Sequence, residues 1–546
     1  MKRLSQGLWA VALLAPVLVH AFSTPIRSAS RAETPLKGRH KYDRLFDSQL
    51  VTRSDQEAKR ILGTLNGRKY GVTRLDSQAL ARLRQAADRG HGGAALLLAL
   101  MYYLGRGVSR NDAKARAWLR RAAARGYVVA DPLLGVMYYL AQGGSRNDAQ
   151  ALKWFRRGAV QGNAMAEIML GWMYYAGQGV ERNYTKAAGW FRRAAVQGNA
   201  AAEYILGRMY YAGQGVKRDY AKALAWVRRA AAQDNAHAEN MLGVMYYTGR
   251  GVRRNDAQAL KWFRRAAAGG DAGADFMLGM MHALGQVVSR SDTKALKWFR
   301  RGAAGGNAYA EGMIGVMYDE GLGVRQNYAQ ARQWFRRAAA GGNAEADFLL
   351  GKMYYDGEGV GRSDARALTW LRQGAARGNA YAEALLGEMY YAGRGVTRND
   401  TKAAKWLRRA ALQGNPDAEY RLGVMYQRGQ GLGRSGTKAV TWVRRAALQG
   451  NPDADMDLGV LYARRPGPKN PVSAYKWLLI ARDLMTLKNP GGHDPRAARL
   501  AKLLKNLSSK MAPAQIAQAR RKAGTWMTAY VMMLLHSVGP DLGSPL

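Results

Sequence analysis

The chain is predicted to be an all-α solenoid, on two recurrences and one spacing. Trp118, Trp154, Trp190, Trp226, Trp262, Trp298, Trp334, Trp370, Trp406 and Trp442 stand 36 residues apart, and Trp477 follows after 35. A glycine keeps the same beat from Gly135 through Gly171 to Gly459. Between them, apolar residues fall at helical spacing. A fixed period holding two helical stretches means stacked helical hairpins, each burying its apolar face on its neighbours.

The unit from Asn163 to Gly198 justifies each element in turn. Asn163 is a good N-cap, and Glu167 suits the positive end of the helix dipole. Ala166, Leu170, Met173 and Tyr174 share one helical face. Gly177-Gln178-Gly179 ends that helix, because glycine tolerates a left-handed C-cap. A second helix begins near Tyr184, with Ala187, Trp190, Phe191, Ala194 and Ala195 as its buried stripe. The glycine inside the first helix costs about 1 kcal/mol relative to alanine. Ten copies of it imply that a backbone or the Trp indole packs there, which makes the Trp column core.

The organisation follows from where the beat starts and stops. Residues 1–21 read as a signal peptide: Lys2 and Arg3, an apolar run from Leu8 to Val19, then small residues before a cleavage point after Ala21. Residues 22–53 form a polar leader, and 54–90 a degenerate capping repeat in which Leu62-Gly63 matches the later Leu-Gly. Eleven repeats occupy 91–484. Residues 485–546 form a helical cap, with two closing helices expected within 497–538 and the stretch from Trp526 to Val538 packing on the last repeat. The expected location is periplasmic or secreted.

The pattern AxAExxLGxMYYxGxGVxRNxxKAxxWFRRAAxxG, as it stands in Ala164 to Gly198, resembles the Sel-one-like repeat (SLR) family, relatives of the tetratricopeptide repeats. Met511-Ala512-Pro513-Ala514-Gln515-Ile516-Ala517 followed by Trp526 resembles the tail of many bacterial members. The resemblance implies a right-handed α-solenoid of about twelve hairpins that acts as an adaptor in protein complexes. It also implies, for exported bacterial members, a link to the envelope. Some cysteine-rich members are associated with penicillin or β-lactam chemistry, but this chain has no cysteine.

Little in the sequence points to chemistry. Its histidines lack metal-ligand spacing, and Gly431 to Lys438 mimics a phosphate loop only superficially, with Thr and Lys in the wrong order. One acidic residue per repeat, from Asp131 and Glu167 to Asp455, suits dipole and inter-repeat ion-pair roles. The expectation is a non-enzymatic monomer with no cofactor, no metal and no small-molecule substrate, whose partner is a protein. A peptidoglycan- or β-lactam-directed enzyme is a third reading that lacks a nucleophile and base.

Two faces are candidates for binding. The first is the side of the first helices that, by analogy with related solenoids, lines the concave surface. There Trp172, Tyr175, Tyr211 and Tyr247 would serve as aromatic anchors. The second is the run of Arg pairs after each Trp, with Arg192, Arg193, Arg228, Arg229, Arg264 and Arg265 as anion ligands. The formal charge of +45 makes an anionic polymer or envelope surface the alternative partner: acidic glycan, lipopolysaccharide or nucleic acid.

Overall fold

The computed structural model describes residues 77–105, 107–463, 470–488 and 496–538. The signal peptide, the leader and most of the capping repeat fall outside these residues. The chain divides into two compact units after Gly269. The described part of the first unit holds α1 (Ser77–Asp88), α2 (Gly92–Leu104), α3 (Asp112–Ala124), α4 (Ala130–Tyr139), α5 (Asp148–Val160), α6 (Ala164–Ala176), α7 (Tyr184–Val196), α8 (Ala200–Ala212), α9 (Tyr220–Ala231), α10 (Ala236–Thr248) and α11 (Asp256–Ala268). The second holds α12 (Ala272–Leu284), α13 (Asp292–Ala304), α14 (Ala308–Glu320), α15 (Tyr328–Ala340), α16 (Ala344–Asp356), α17 (Asp364–Ala376), α18 (Ala380–Ala392), α19 (Asp400–Leu412), α20 (Pro416–Arg428), α21 (Gly436–Leu448) and α22 (Pro452–Ala463). It closes with α23 (Asn470–Lys488), α24 (Ala497–Ser508) and α25 (Pro513–Val538). No strand occurs among the described residues.

Within each unit the hairpins are built by the same local chemistry. The Asn163 side chain accepts from the Ala166 backbone N–H at 3.0 Å and so starts α6. Gly177, at φ 72°, ends it in the left-handed conformation that only glycine adopts cheaply. The loop then folds back, and the Asn183 N–H donates to the Tyr174 carbonyl at 2.8 Å. The Asn183 side chain in turn accepts from the Lys186 N–H at 2.9 Å and caps α7. The repeating tract from glycine to asparagine is therefore a single turn device.

The core differs from the sequence expectation in one respect. The tryptophans of the ten earlier repeats are half-buried, and only Trp477 is fully enclosed. The buried large residue is the one after each Trp: Phe155, Phe191, Phe263, Phe299 and Phe335 are each 0% exposed. It is this residue, not the indole, that meets the helix glycine. A methyl group on Gly171 would stand 2.7 Å from the Phe191 ring, and on Gly243 2.5 Å from Phe263. Where the ring is absent a branched aliphatic takes its place, as with Val227 against Gly207 and Leu371 against Gly351.

The last hairpin is closed by aromatic contacts. Trp526 of α25 meets Trp477 of α23 edge-on at 5.9 Å and stacks on Tyr530 at 5.0 Å. α24 adds Leu500 to a small cluster with Met456, Leu478, Ala481 and Met485.

Removing the buried ring should therefore cost more than removing the indole. Phe263→Ala is expected to lose about 3–5 kcal/mol through lost burial and a residual cavity. Trp262→Ala should lose about 1–2 kcal/mol, since only part of its surface leaves water. Hydrogen exchange should show the loss centred on α10 and α11, with remote hairpins still protected. Equal cost from both variants would contradict this assignment.

Candidate binding faces

In eight of the first helices a buried acidic residue is paired with the second arginine after Trp. Glu167 is 0% exposed, and Arg193 Nε donates to its Oε1 at 2.8 Å. The same bridge joins Arg157 to Asp131 at 3.1 Å, Arg229 to Glu203 at 2.8 Å and Arg265 to Glu239. In the second unit it joins Arg301 to Asp275 at 3.3 Å, Arg337 to Glu311 at 2.8 Å and Arg445 to Glu419 at 2.8 Å. Each guanidinium also lies over its own repeat's indole, 5.0 Å from the ring centroid for Arg193 and Trp190. The bridge ties the two helices of one repeat, not successive repeats as the sequence suggested. A further guanidinium nitrogen then reaches back, and Arg193 Nη2 donates to the Ala159 carbonyl of the preceding repeat at 3.1 Å. Arg193, Arg229 and Arg265 are thus each paired within the framework, with side chains that stay 52%, 53% and 47% exposed.

One repeat makes this bridge from a different position. Gln373 stands where the second arginine belongs, yet the buried Asp347 is not left alone: Arg377 pairs with it. Other repeats carry glutamine at that later place, and Gln197 there donates to Glu167 Oε2 at 2.8 Å. The arginine and glutamine have exchanged positions while the carboxylate keeps a cation.

The first arginine of each pair behaves differently. Arg192 donates to the Tyr210 hydroxyl at 2.8 Å and Arg228 to Tyr246 at 3.2 Å, while both remain exposed. Arg264 is exposed as well, and the residue eighteen further on is His282 instead of tyrosine.

The proposed aromatic anchors are mostly enclosed. Tyr175 and Tyr211 are only 4% and 5% exposed. Tyr175 donates to Gln214 Oε1 of the next loop at 2.9 Å, and Tyr211 accepts from Arg250 at 3.1 Å. Each also packs edge-on against a second-helix tyrosine, Tyr184 or Tyr220. Trp172 is half-buried and leans edge-on against Phe191 at 5.5 Å and Tyr175 at 5.7 Å. Tyr247 is half-buried under Arg254. The double tyrosine is therefore a stitch between successive loops, and Tyr175 and Tyr211 are unavailable as open anchors.

The structure adds a polar group in the second unit that sequence reasoning missed. Arg421 pairs with Glu388 at 2.6 Å and lies 5.0 Å from the Tyr391 ring centroid. The neighbouring Tyr420 donates to Asp457 at 2.9 Å. The signal was present as a break in register, since Arg421 and Asp457 occupy a column that reads Met169, Ile205, Met241, Met277, Met313, Leu349 and Leu385 elsewhere. A second break lies at Asp319, which replaces the stitch tyrosine, and at Glu358, which replaces its glutamine.

Burial acts on several of these carboxyls. It pushes Asp275 and Asp347 up to about 6 against the lowering effect of Arg301 and Arg377. It also raises Asp319 to about 6, with Glu358 adding to the shift, and Glu345 to about 7. Burial raises Glu167, Glu383 and Glu419 in the same sense. Among the described residues no group of three His, Asp or Glu side chains is arranged to hold a metal ion, and no helix is long and apolar enough to cross a membrane.

Hairpins latched from within, carrying variable side chains on the free faces of their first helices, define a repeat scaffold. The family is shown by twelve consecutive matches to the Sel1 repeat model, over residues 56–91, 93–127, 133–163, 164–199, 200–235, 236–271, 272–307, 308–343, 344–379, 380–415, 416–451 and 452–484. The chain belongs to the Sel1 repeat family, whose members generally mediate protein–protein interactions and are generally non-catalytic. A protective antigen of uropathogenic Escherichia coli strains with an SLR fold is 31% identical, covering 86% of this chain and 98% of its own, with a TM-score of 0.58. A Sel1 repeat protein from Oxalobacter formigenes is 34% identical over 57% of this chain and 90% of its own, with a TM-score of 0.41. No curated protein matches the chain.

The exchanged bridge gives a direct test. Arg377→Gln should cost about 2 kcal/mol by leaving Asp347 without its cation, discounted for the exposure of the arginine. Adding Gln373→Arg should restore most of that loss by rebuilding the arrangement of the other repeats. Chemical denaturation of the two variants measures both effects, and a double variant no better than the single one would remove the exchange.

Acid should stabilise the second unit over a defined range. Asp275, Asp319, Glu345 and Asp347 have folded values above their ordinary carboxyl values of 3.8 and 4.5. Between the two, the folded state binds more protons than the unfolded one, so stability falls as pH rises. The thermal midpoint should rise on going from pH 7.5 to about 5, and Glu345→Gln should flatten that slope.

Proposed function

We propose that this protein is an exported, non-enzymatic scaffold that holds a protein partner along the free faces of its first helices. The observation that carries the reading is where the repeats agree and where they differ. The glycine, the residue after Trp, the buried carboxylate and its arginine repeat almost unchanged, because every hairpin needs them. Along the first helix one column instead reads Trp172, Arg208, Val244, Met280, Val316, Lys352 and Glu388, of which Val244 and Met280 are buried and the other five part-exposed. Part-exposed charges in this column, with Arg421 and Tyr420 beside them, favour a polar contact of defined shape over a purely apolar groove. Charged and aromatic residues at such a place contribute specificity as well as contact area. Support for export comes from Lys2, Arg3 and the apolar run from Leu8 to Val19, the pattern of a cleavable signal for the periplasm or the outside of the cell.

A photoreactive residue at Lys352 or Glu388 tests the reading in native cells. It should yield a discrete adduct with a protein of the envelope fraction, while the same residue at Lys153 on a second helix should not. N-terminal sequencing of the captured chain should begin near Phe22. Adducts from Lys153 alone would move the contact to the other face, and an intact Met1 on the soluble chain would remove the export assignment.

A further inference from the structure

In several repeats the tyrosine that accepts from the exposed arginine sits beside a second cation. Tyr174 accepts from Arg156 Nη2 at 3.2 Å, and Lys186 Nζ lies 5.6 Å from its ring centroid. Tyr354 accepts from Arg336 at 3.2 Å, with Arg366 5.5 Å from the ring. Tyr390 accepts from Arg372 at 3.4 Å, with Lys402 5.7 Å away. In all three places the cations are exposed, and among the described residues none of the six forms an ion pair. Tyr210 contrasts with these, because its Lys222 is held by Asp219 at 3.4 Å.

The donor count decides what such a place can bind. A guanidinium only donates, so the phenol oxygen accepts and its own proton points elsewhere. At Tyr174 and Tyr390, which are part-exposed, two cations and a hydroxyl donor then share one place on the surface, whereas Tyr354 is only 2% exposed and its hydroxyl is enclosed. A carboxylate ligand brings two oxygens and one charge. A phosphate monoester brings three terminal oxygens and a charge of roughly −1.5 to −2, which matches the three donors and the two cations. We propose that Arg156–Tyr174–Lys186 and Arg372–Tyr390–Lys402 are oxyanion cradles for phosphate monoesters. These cradles lie apart from the first-helix column, and they use the arginine of each pair that the framework leaves exposed.

The test uses the full-length mature protein and immobilised dextran carrying phosphate monoesters, with dextran sulfate and carboxymethyl dextran as matched polymers. Tyr174→Phe and Tyr390→Phe together keep both rings and every charge but remove the hydroxyl donors. This double variant should lose about tenfold in affinity for the phosphate polymer. Lys261→Gln, Lys297→Gln and Lys405→Gln together remove three exposed charges outside the cradles and should cost about twofold, through general screening alone. Affinity should also fall as pH drops below the phosphate second pKa of about 6. Wild-type affinity in the Phe variant, or equal losses in the Phe and Lys variants, overturns the cradles. Equal affinity for the three polymers overturns the assignment to phosphate. Should the Phe variant unfold early, Lys186→Gln with Lys402→Gln supplies the same comparison from exposed positions.

Discussion

The close approach of the first-helix glycine to the large residue after Trp is the constraint on which the rest depends. With no Cβ at Gly171 or Gly243, the second helix comes near enough for a phenylalanine ring to lie on bare backbone. That distance brings the second arginine over the buried carboxylate and the tryptophan over the same arginine. A wider hairpin would strand Glu167 or Asp347 without a cation, which is far costlier than the glycine itself. The penalty of glycine in a helix is accepted because closeness makes the electrostatic latch geometrically available.

The latch also divides the arginines of a pair by role. The second one pairs with a carboxylate and lies over an indole while its side chain stays about half exposed, at 52% for Arg193. Its neighbour is left at the surface with only a phenol for company. The formal charge of +45 therefore overstates the cations open to solvent partners.

Most of the fold was legible in the sequence because its determinants are local and periodic. The 36-residue beat of Trp and Gly, the Asn caps and the Gly-x-Gly stops each act within a few residues of where they are written. What was misread depends on rotation about the helix axis. Trp190 and Phe191 are adjacent, and sequence spacing gives no reason to prefer one for the core. The structure turns Phe191 inward and leaves Trp190 under Arg193. Tyr174 and Tyr175 were misjudged in the same way: one points to an arginine, the other into the next loop. The polar group around Arg421 was legible only by comparing columns across repeats, because no single repeat marks it as unusual.

The exchange of Gln373 and Arg377 carries a consequence for how such an array changes over time. A mutation that deletes the arginine at one position costs least when a cation already reaches the same carboxylate from four residues later, one helical turn away. Drift between repeats is therefore correlated in pairs, and a consensus taken position by position returns the arginine-then-glutamine order and erases the exchange at Gln373 and Arg377. The unit of inheritance in this array is a satisfied charge and not a residue, so neutral paths between its repeats run through a doubly paired intermediate.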